Sequence, residues 1–240
     1  MKNTKAKKLF LLSSCLLAFI IGIILLVFAV PRVIATAIML PGEPVRNAIQ
    51  SNKTVSTEDL DILVSTRKDA LKWISSGRTW TDLGLAQSWK AYYIGYETVA
   101  GKALLSEAVD SMRHGLSYSP ANSFAWARLG YDYIKQSGSP SENAMKAYRM
   151  SLLTASYEPR LLFDRLIFCF YMWDDFSKED RYLINQQIGF AAGKRPWKLA
   201  KIAYKDKNAN AIIRSALDSD SEEYKKFAKI YKRIATKNKK

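Results

Sequence analysis

The sequence is poor in the residues that disulfide frameworks and many catalytic sites need. It has two cysteines in 240 residues, Cys15 and Cys169, and a single histidine, His114. Cys15 lies in an apolar N-terminal run and Cys169 in a second apolar stretch, so a disulfide framework within the chain is excluded. A lone histidine forms neither a histidine-based metal site nor a catalytic triad without distant partners. We therefore interpret His114 as a surface or groove side chain.

Motifs of nucleotide-binding and hydrolytic enzymes are missing as well. The sequence has no Gly-rich phosphate loop, no GxSxG and no Cys/His cluster. The acidic run from Asp218 to Glu223 lacks the glycine and the distal glutamate of a calcium-binding loop. Helix capping explains this acidic run, and helix termination explains the adjacent Asp174 and Asp175. The sequence predicts a protein that is not an enzyme and that needs no cofactor or metal.

Acidic residues are also in short supply, and the imbalance is uneven along the chain. The formal net charge is +15, with 37 Lys and Arg against 22 Asp and Glu. Residues 194–240 hold 15 of these basic residues and only 5 of the acidic ones. The first eight residues add four lysines and no acid. The basic excess therefore belongs to the two ends of the chain, and the middle is close to balanced.

One long run without charge marks the N-terminal part. The 22 residues from Leu9 to Val30 would span ~33 Å as a helix, close to the roughly 30 Å of a bilayer core. A cleaved secretory signal, cut near Ala35-Thr36-Ala37, is the alternative, but the apolar core of such signals is only about 7–15 residues long. We favour a single uncleaved transmembrane helix.

The charges beside this run predict its orientation. Lys2, Lys5, Lys7 and Lys8 precede it, whereas the flank that follows carries a weaker and mixed set. The positive-inside rule then places the N-terminus in the cytoplasm and the rest in the periplasm of a bacterium, anchored in the inner membrane. Because this orientation places the domain outside the cytoplasm, nucleic acid is excluded as a partner. The predicted segments are a basic terminus (1–8), the membrane helix (9–30), a juxtamembrane linker (31–55), a helical domain (56–206) and a basic C-terminal segment (207–240).

The exported part reads as helices throughout, because no segment alternates like a strand. Ser56 is expected to cap one helix that ends at Gly77, and Thr81 to open the next. Gly101 is expected to break the chain after that helix. Consecutive helices joined by short breaks favour antiparallel helix pairs, so the predicted fold class is all-α.

One helix pair matches the tetratricopeptide (TPR) pattern. Its first helix has the Trp-x2-Leu-Gly-x2-Tyr spacing, and its second has the alanine, aromatic and small residue that follow in such repeats. The preceding helix carries a partial match. The matching residues are Trp126, Leu129, Gly130, Tyr133, Ala144, Tyr148 and Ser151, and then Ala108, Met112, Gly115 and Pro120. Since the helix from Ala86 to Val99 lacks the Leu-Gly pair, we expect a short TPR-like stack with degenerate flanks.

Two surfaces are candidates for binding. Most aromatics between Trp73 and Tyr96 fall on predicted helix faces that we expect to pack in the core. Tyr93 lies off the main apolar stripe and is therefore the aromatic expected in a groove. The last predicted helix carries aromatics on one face and cations on the others. This pattern is compatible with three roles: a cap that closes the stack, a helix on the membrane surface, or a site for anionic glycan or lipid. Its candidate contacts are Lys225, Lys226, Lys229, Lys232 and Arg233.

Part of the chain, roughly residues 100–205, resembles a known family. The resemblance lies in short runs at residues 119–129, 151–154, 158–159, 163–166 and 187–188. These runs are similar to the VpsP-like proteins, which are single-span TPR-like proteins of bacterial exopolysaccharide biosynthesis. The resemblance implies a non-enzymatic accessory role beside inner-membrane polymerase or export proteins. An anionic glycan- or lipid-binding module is the alternative function.

Overall fold

The structure is a computed structural model that describes residues 2–51 and 53–237. The side chains of Lys2, Lys5, Lys7 and Lys8, on which the predicted orientation depends, lie outside the described residues, as do the last three residues of the predicted C-terminal segment 207–240. Regular structure in the described part is helical only, which confirms the all-α fold class. The α-helices there are α1 (Lys2–Met39), α2 (Glu43–Gln50), α3 (Thr57–Leu71), α4 (Gly77–Ile94), α5 (Val99–Tyr118), α6 (Ser123–Ser137), α7 (Glu142–Thr154), α8 (Leu162–Tyr171), α9 (Lys178–Lys194), α10 (Pro196–Lys205), α11 (Lys207–Ala216) and α12 (Glu222–Lys237).

Helix α1 is long and apolar enough to cross a membrane, and the rest of the protein covers none of its most apolar part. It continues through Pro31 to Met39, beyond the end predicted from the charge pattern. A short 3-10 turn, Leu40–Gly42, then leads directly into α2. Val45 and Ile49 of α2 are buried in a small core against α3 and α4. The segment expected to be a linker is therefore mostly helical, and its α2 part is packed on the domain.

Helix boundaries follow local capping, and three of them differ from the expectation. Helix α3 ends at Leu71 rather than at Gly77, which is the first residue of α4. Ser56 caps α3 as predicted, with a reciprocal hydrogen-bond pair between Ser56 and Asp59. Helix α4 starts at Gly77 rather than at Thr81, because Ser76 already accepts from the backbone N–H of Thr79. The break before α5 falls at Gly95, whose φ of 97° suits glycine alone, and not at Gly101.

Helices α4–α5 and α6–α7 form two TPR-like pairs that repeat the same contact. In α6–α7 a Cβ on Gly130 would lie 2.8 Å from the ring of Tyr148. At the matching place in α4–α5 a Cβ on Gly84 would lie 2.9 Å from Cγ of Met112. In each pair a glycine of the first helix lets a large side chain of the second lie against its backbone.

A second contact also repeats, at the start of each first helix. The hydroxyl of Ser151 in α7 donates to the carbonyl of Ser123 in α6 at 2.8 Å. In α4–α5 a Cβ on Gly115 would lie 3.0 Å from the carbonyl of Gly77. Small residues at this place bring the two helices together, and the helical-repeat architecture follows from these paired close approaches.

The remaining helices close the C-terminal end of the stack. Helices α8 to α12 share one core with α7, and it includes Leu166, Ile184, Leu199 and Phe227. Helix α12 packs mainly on α10, with Phe227 fully buried and Ile234 nearly so. Its basic residues point the other way, to solvent.

Candidate functional site

The first helices of the pairs line a groove with a volume of about 1360 Å³, which we call the central groove. Its walls come from α2, α4, α6 and α8 and from the junction of α9 with α10. Small-molecule sites usually occupy roughly 300–1000 Å³, so this space suits a longer ligand. Ile49 and Gln50 place the end of α2 in the wall, so the chain that continues from the apolar helix forms part of the groove.

Basic side chains dominate the lining of the central groove. The acidic residues among the described lining residues are Asp82 and Asp164. The basic ones are Arg46, Arg78, Arg128, Arg160, Arg165, Lys194, Arg195 and Lys198. Five of these eight cations come from the part of the sequence that is close to balanced in charge, so there the fold gathers the excess. The other three, at the α9–α10 junction, begin the basic C-terminal part of the sequence.

Half of these cations already have an acidic partner. Arg46 and Arg78 pair with Asp82 at 2.7 Å and 3.7 Å. Arg128 lies 3.3 Å from Asp132, and Arg160 lies 3.1 Å from Glu158.

The other half have none. Within the described part of the chain, no ion pair forms at Lys194, Arg195, Lys198 or Arg165. The three residues at the α9–α10 junction are exposed to solvent, so they can meet an anionic ligand directly.

Arg128 occupies the middle of the groove and is held on three sides. Its guanidinium lies 4.9 Å from the ring of Tyr131 and 5.8 Å from that of Trp89. It also donates through Nε to Ser88, whose hydroxyl in turn donates to Asp132. Burial raises the pKa of Asp132 to about 6, against the lowering effects of Arg128 and Ser88. The network fixes the position of the cation while leaving it at the groove surface.

Other groove cations also lie over aromatic rings. The guanidinium of Arg160 is 4.9 Å from the ring centre of Phe124, and the ammonium of Lys198 is 4.5 Å from that of Phe163. Such contacts are worth about 0.5–1 kcal/mol at exposed sites. They hold long, flexible side chains against the wall, so the charges are presented at fixed places along the groove.

Arg165 lies behind the wall and is 1% exposed. Its Nη1 donates to the carbonyls of Ser151 and Ala155 at 2.8 Å and 2.9 Å. Its Nε and Nη2 are buried and have no hydrogen-bond partner in the described structure. Burial lowers the pKa of its guanidinium below the ordinary value. A buried cation with two unused donors adds positive potential to this side of the groove.

A buried ion cluster joins the groove to the apolar helix. Arg67 of α3 is fully buried and donates to Glu43 at 2.7 Å and to the carbonyl of Met39 at 2.9 Å. It also lies 3.4 Å from Asp82 of α4. Gly42 leaves room for this arrangement, since a Cβ there would lie 2.9 Å from Arg67. The end of α1 is thus tied to α3 and α4 by charged contacts away from solvent.

The predicted TPR residues serve the fold and not the groove surface. Leu129, Gly130, Ala144, Ser151 and most of the others are buried between helices. Tyr133 is half-buried, and Trp126 donates to the carbonyl of Pro120 at 2.7 Å. Met112 and Tyr148 are exceptions, because they pack within the helix pairs and also line the central groove.

The first of these repeats extends further than the sequence suggested. Trp80, Leu83 and Gly84 carry the Trp-x2-Leu-Gly spacing on α4, and Trp80 donates to Ser75 as Trp126 donates to Pro120. The expected start at Thr81 left Trp80 outside the helix and separated it from Leu83 and Gly84, so the sequence did not predict this motif. Its signal was the Leu-Gly pair itself, 46 residues before the Leu129-Gly130 pair.

The aromatic residues of α4 are placed differently from the prediction. Small and polar residues such as Ala86, Gln87 and Ser88 face the core, while Tyr92 is 55% exposed and Trp89 lines the groove. The expectation that these aromatics fill the core is wrong for Tyr92, because the face of α4 that carries Gly84 packs on α5. Trp89 does pack in part against the small core of α2 and α3. Tyr93 is exposed, lies beside Trp89, and is not among the residues that line the central groove.

The basic residues of α12 are exposed and lie outside the groove lining. They are Lys225, Lys226, Lys229, Lys232 and Arg233. Arg233 alone reaches toward the groove, with its guanidinium 5.8 Å from the ring of Trp197. Because Phe227 and Ile234 are packed inside the domain, the apolar face of α12 is not free to enter a membrane surface.

His114 lies on the surface of α5, where its ring packs 4.4 Å from that of Trp80. Among the described residues, no group of three or more His, Cys, Asp or Glu side chains is placed to hold a metal ion. No family model, curated protein or solved structure matches the chain. The resemblance to VpsP-like proteins therefore stays a prediction from the sequence.

Proposed function

We propose that this protein is a membrane-anchored docking protein, in which the N-terminal helix holds a TPR-like domain beside the bilayer and the central groove binds a partner protein. The observation that carries the proposal is the continuity between anchor and groove. Helix α2, which follows the apolar helix after one short turn, contributes Arg46, Ile49 and Gln50 to the groove wall. The Arg67 cluster fixes that wall to α3 and α4.

Several features support a role in binding over one in catalysis. The groove presents cations held on aromatic rings, and helical repeats use such concave surfaces to bind partners. Asp132 is the acid near this surface whose pKa approaches neutrality, and it is fully buried under Arg128 and Ser88. A group in that position has no access to a substrate, so a structural role suits it better.

The cellular setting of the proposal comes from the sequence. The lysines before the apolar run favour a cytoplasmic N-terminus and a periplasmic domain in a bacterial inner membrane. The resemblance to VpsP-like proteins favours a partner from the polymerase or export machinery of an exopolysaccharide. The anchor would keep the groove close to partners that are themselves embedded in the same membrane.

Affinity purification of the tagged full-length chain from membranes of its native host tests this proposal. We expect a membrane protein of glycan assembly to co-purify, and to be lost when the groove is altered by Arg128→Glu. A matched variant, Lys229→Glu on the exposed face of α12, should retain the partner. Recovery of unrelated envelope proteins alone would refute the polysaccharide assignment, and equal recovery by both variants would refute the groove as the docking site.

A further inference from the structure

We propose that the ligand of the central groove is an extended acidic segment of the partner protein, whose Asp and Glu side chains pair with the free cations of the groove. The inference depends on the proposed docking function and names the chemistry of its partner. Three observations support it: the positive charge of the groove, the buried Arg165, and the cations that lie over the aromatic rings of the groove.

The charge of the groove is the first support. Its two acids do not offset its eight cations, and one of them, Asp82, is already shared by Arg46, Arg67 and Arg78. Lys194, Arg195 and Lys198 have no acidic partner in the described chain and are open to solvent. Complementary charge steers association and excludes partners of the wrong sign, so the surface favours an anionic segment.

The buried Arg165 independently indicates that the ligand is negatively charged. Its guanidinium is buried in the groove wall, and two of its nitrogens have no acceptor within the described structure. A buried charge without a counter-ion is costly, and an anion bound nearby lowers that cost. Glu158 acts on this charge without forming an ion pair with it, so an anionic ligand in the groove would compensate the charge further.

The aromatic rings distinguish an acidic peptide from an acidic glycan. Sugars bind proteins through free ring faces, but here the faces of Tyr131, Phe124 and Phe163 carry Arg128, Arg160 and Lys198. Between the cations, the lining also includes half-buried apolar side chains such as Leu85 and Ala127. Acidic side chains alternating with apolar ones match this lining better than a polyuronate does.

The size of the central groove also fits an extended peptide segment. A cavity of about 1360 Å³ exceeds ordinary small-molecule sites. An extended peptide of about twelve residues reaches roughly 40 Å, which is enough to follow a groove lined by several helices. A single acidic metabolite would contact only a fraction of the cations that line it.

Fluorescence anisotropy with the full-length chain in nanodiscs of zwitterionic lipid tests the inference. The probe is a labelled peptide of about twelve residues that alternates Glu and Ala, which can extend along the groove. Its competitors are the matched Lys-Ala peptide and an oligogalacturonate of equal charge. We expect the Glu-Ala peptide to bind, to weaken as salt is raised, and to outcompete the oligogalacturonate.

Two charge-matched variants locate the binding. The triple change Lys194→Gln, Arg195→Gln and Lys198→Gln should weaken the Glu-Ala peptide about tenfold, because it removes the unpaired groove cations. The control changes Lys226, Lys229 and Lys232 of α12 to Gln and should leave binding within about twofold. All six side chains are exposed, so both variants should melt like the parent chain.

Three results would overturn the inference: no binding of the Glu-Ala peptide, tighter binding of the oligogalacturonate, or equal loss in the two variants. These outcomes are separable from failure of the docking function. If a partner still co-purifies but the peptide does not bind, only the acidic ligand is wrong. If the peptide binds and no partner is found in membranes, the docking function is wrong.

Discussion

The fully buried guanidinium of Arg67 donates to Oε1 of Glu43 at 2.7 Å. Glu43 opens α2 and Arg67 lies in α3, so this contact joins the end of the apolar helix to the first helix of the domain. Glu43 also accepts from Arg78 of α4 at 2.7 Å. The apolar helix and the groove wall are therefore joined through Arg67, which is fully buried, and through Arg78, which is about half exposed.

Replacing Arg67 with Met should destabilise the full-length chain in detergent by about 3–5 kcal/mol, since it leaves the buried carboxylate of Asp82 and the partly buried one of Glu43 with fewer partners. Chemical denaturation followed by circular dichroism measures the free energy of unfolding. Lys72→Met is the control, because its pair with Asp69 at 2.6 Å is exposed and should contribute little. Equal effects of the two changes would mean that the cluster does not hold the anchor to the domain.

Gly130 offers a steric test of the repeat contact. Gly130→Ala places a Cβ 2.8 Å from the ring of Tyr148, and the forced shift should cost about 1–3 kcal/mol. Gly189→Ala is the matched control in α9, where a Cβ meets nothing within 4 Å. That change should stabilise the protein by about 0.5–1 kcal/mol through its helix propensity. A neutral Gly130→Ala would argue against TPR-like packing of α6 on α7.

The repeat shows which parts of the fold the sequence could predict. Capping at Ser56, the helical class and the Trp126–Tyr148 pattern depend on near neighbours along the chain, and these predictions hold. The matching role of Gly84 was not predicted, because the expected helix start at Thr81 separated Trp80 from the Leu83-Gly84 pair.

The central groove was not predictable for a related reason. Its cations come from separate parts of the sequence, between Arg46 and Lys198, and only the fold brings them to one surface. Only folding shows that Asp132 is buried while Arg128 stays at the surface, and that Lys198 lies over Phe163. The cations of α12 are clustered in the sequence and are candidate contacts on that ground, yet they lie outside the groove lining.

Asp132 predicts a specific pH dependence of stability. Burial raises its pKa from 3.8 to about 6 in the folded protein, so the folded state holds the proton more tightly than the unfolded state. Its contribution to stability is therefore complete below pH 3.8 and is lost as the pH rises to about 6. A shift of this size corresponds to about 3 kcal/mol.

Comparison with Asp132→Asn isolates this effect, because other acids titrate equally in both chains. The stability of Asp132→Asn relative to the parent should rise by up to about 3 kcal/mol between pH 4 and 6.5. Urea denaturation at several pH values gives this difference. A difference that stays constant with pH would show that Asp132 is ionised throughout, with an ordinary pKa.

Cys169 reports on the core of the C-terminal helices. It is fully buried, and burial raises the pKa of its thiol to about 12. In a Cys15→Ser background, iodoacetamide at pH 8 should leave Cys169 unmodified until the chain is unfolded with denaturant. Mass spectrometry measures the modification. Rapid alkylation under native conditions would show that α8 is not packed in the core as described.

Site-specific photo-crosslinking in membranes tests the central claim most directly, namely that the membrane-anchored groove docks a partner protein. A photoreactive phenylalanine analogue replaces Phe124, which is 41% exposed in the groove, or Tyr182, which is 64% exposed outside it. The account predicts one discrete crosslinked protein from position 124 and none from position 182. Crosslinks from position 182 alone, or no crosslink from the groove in membranes that contain the full-length chain, would contradict it.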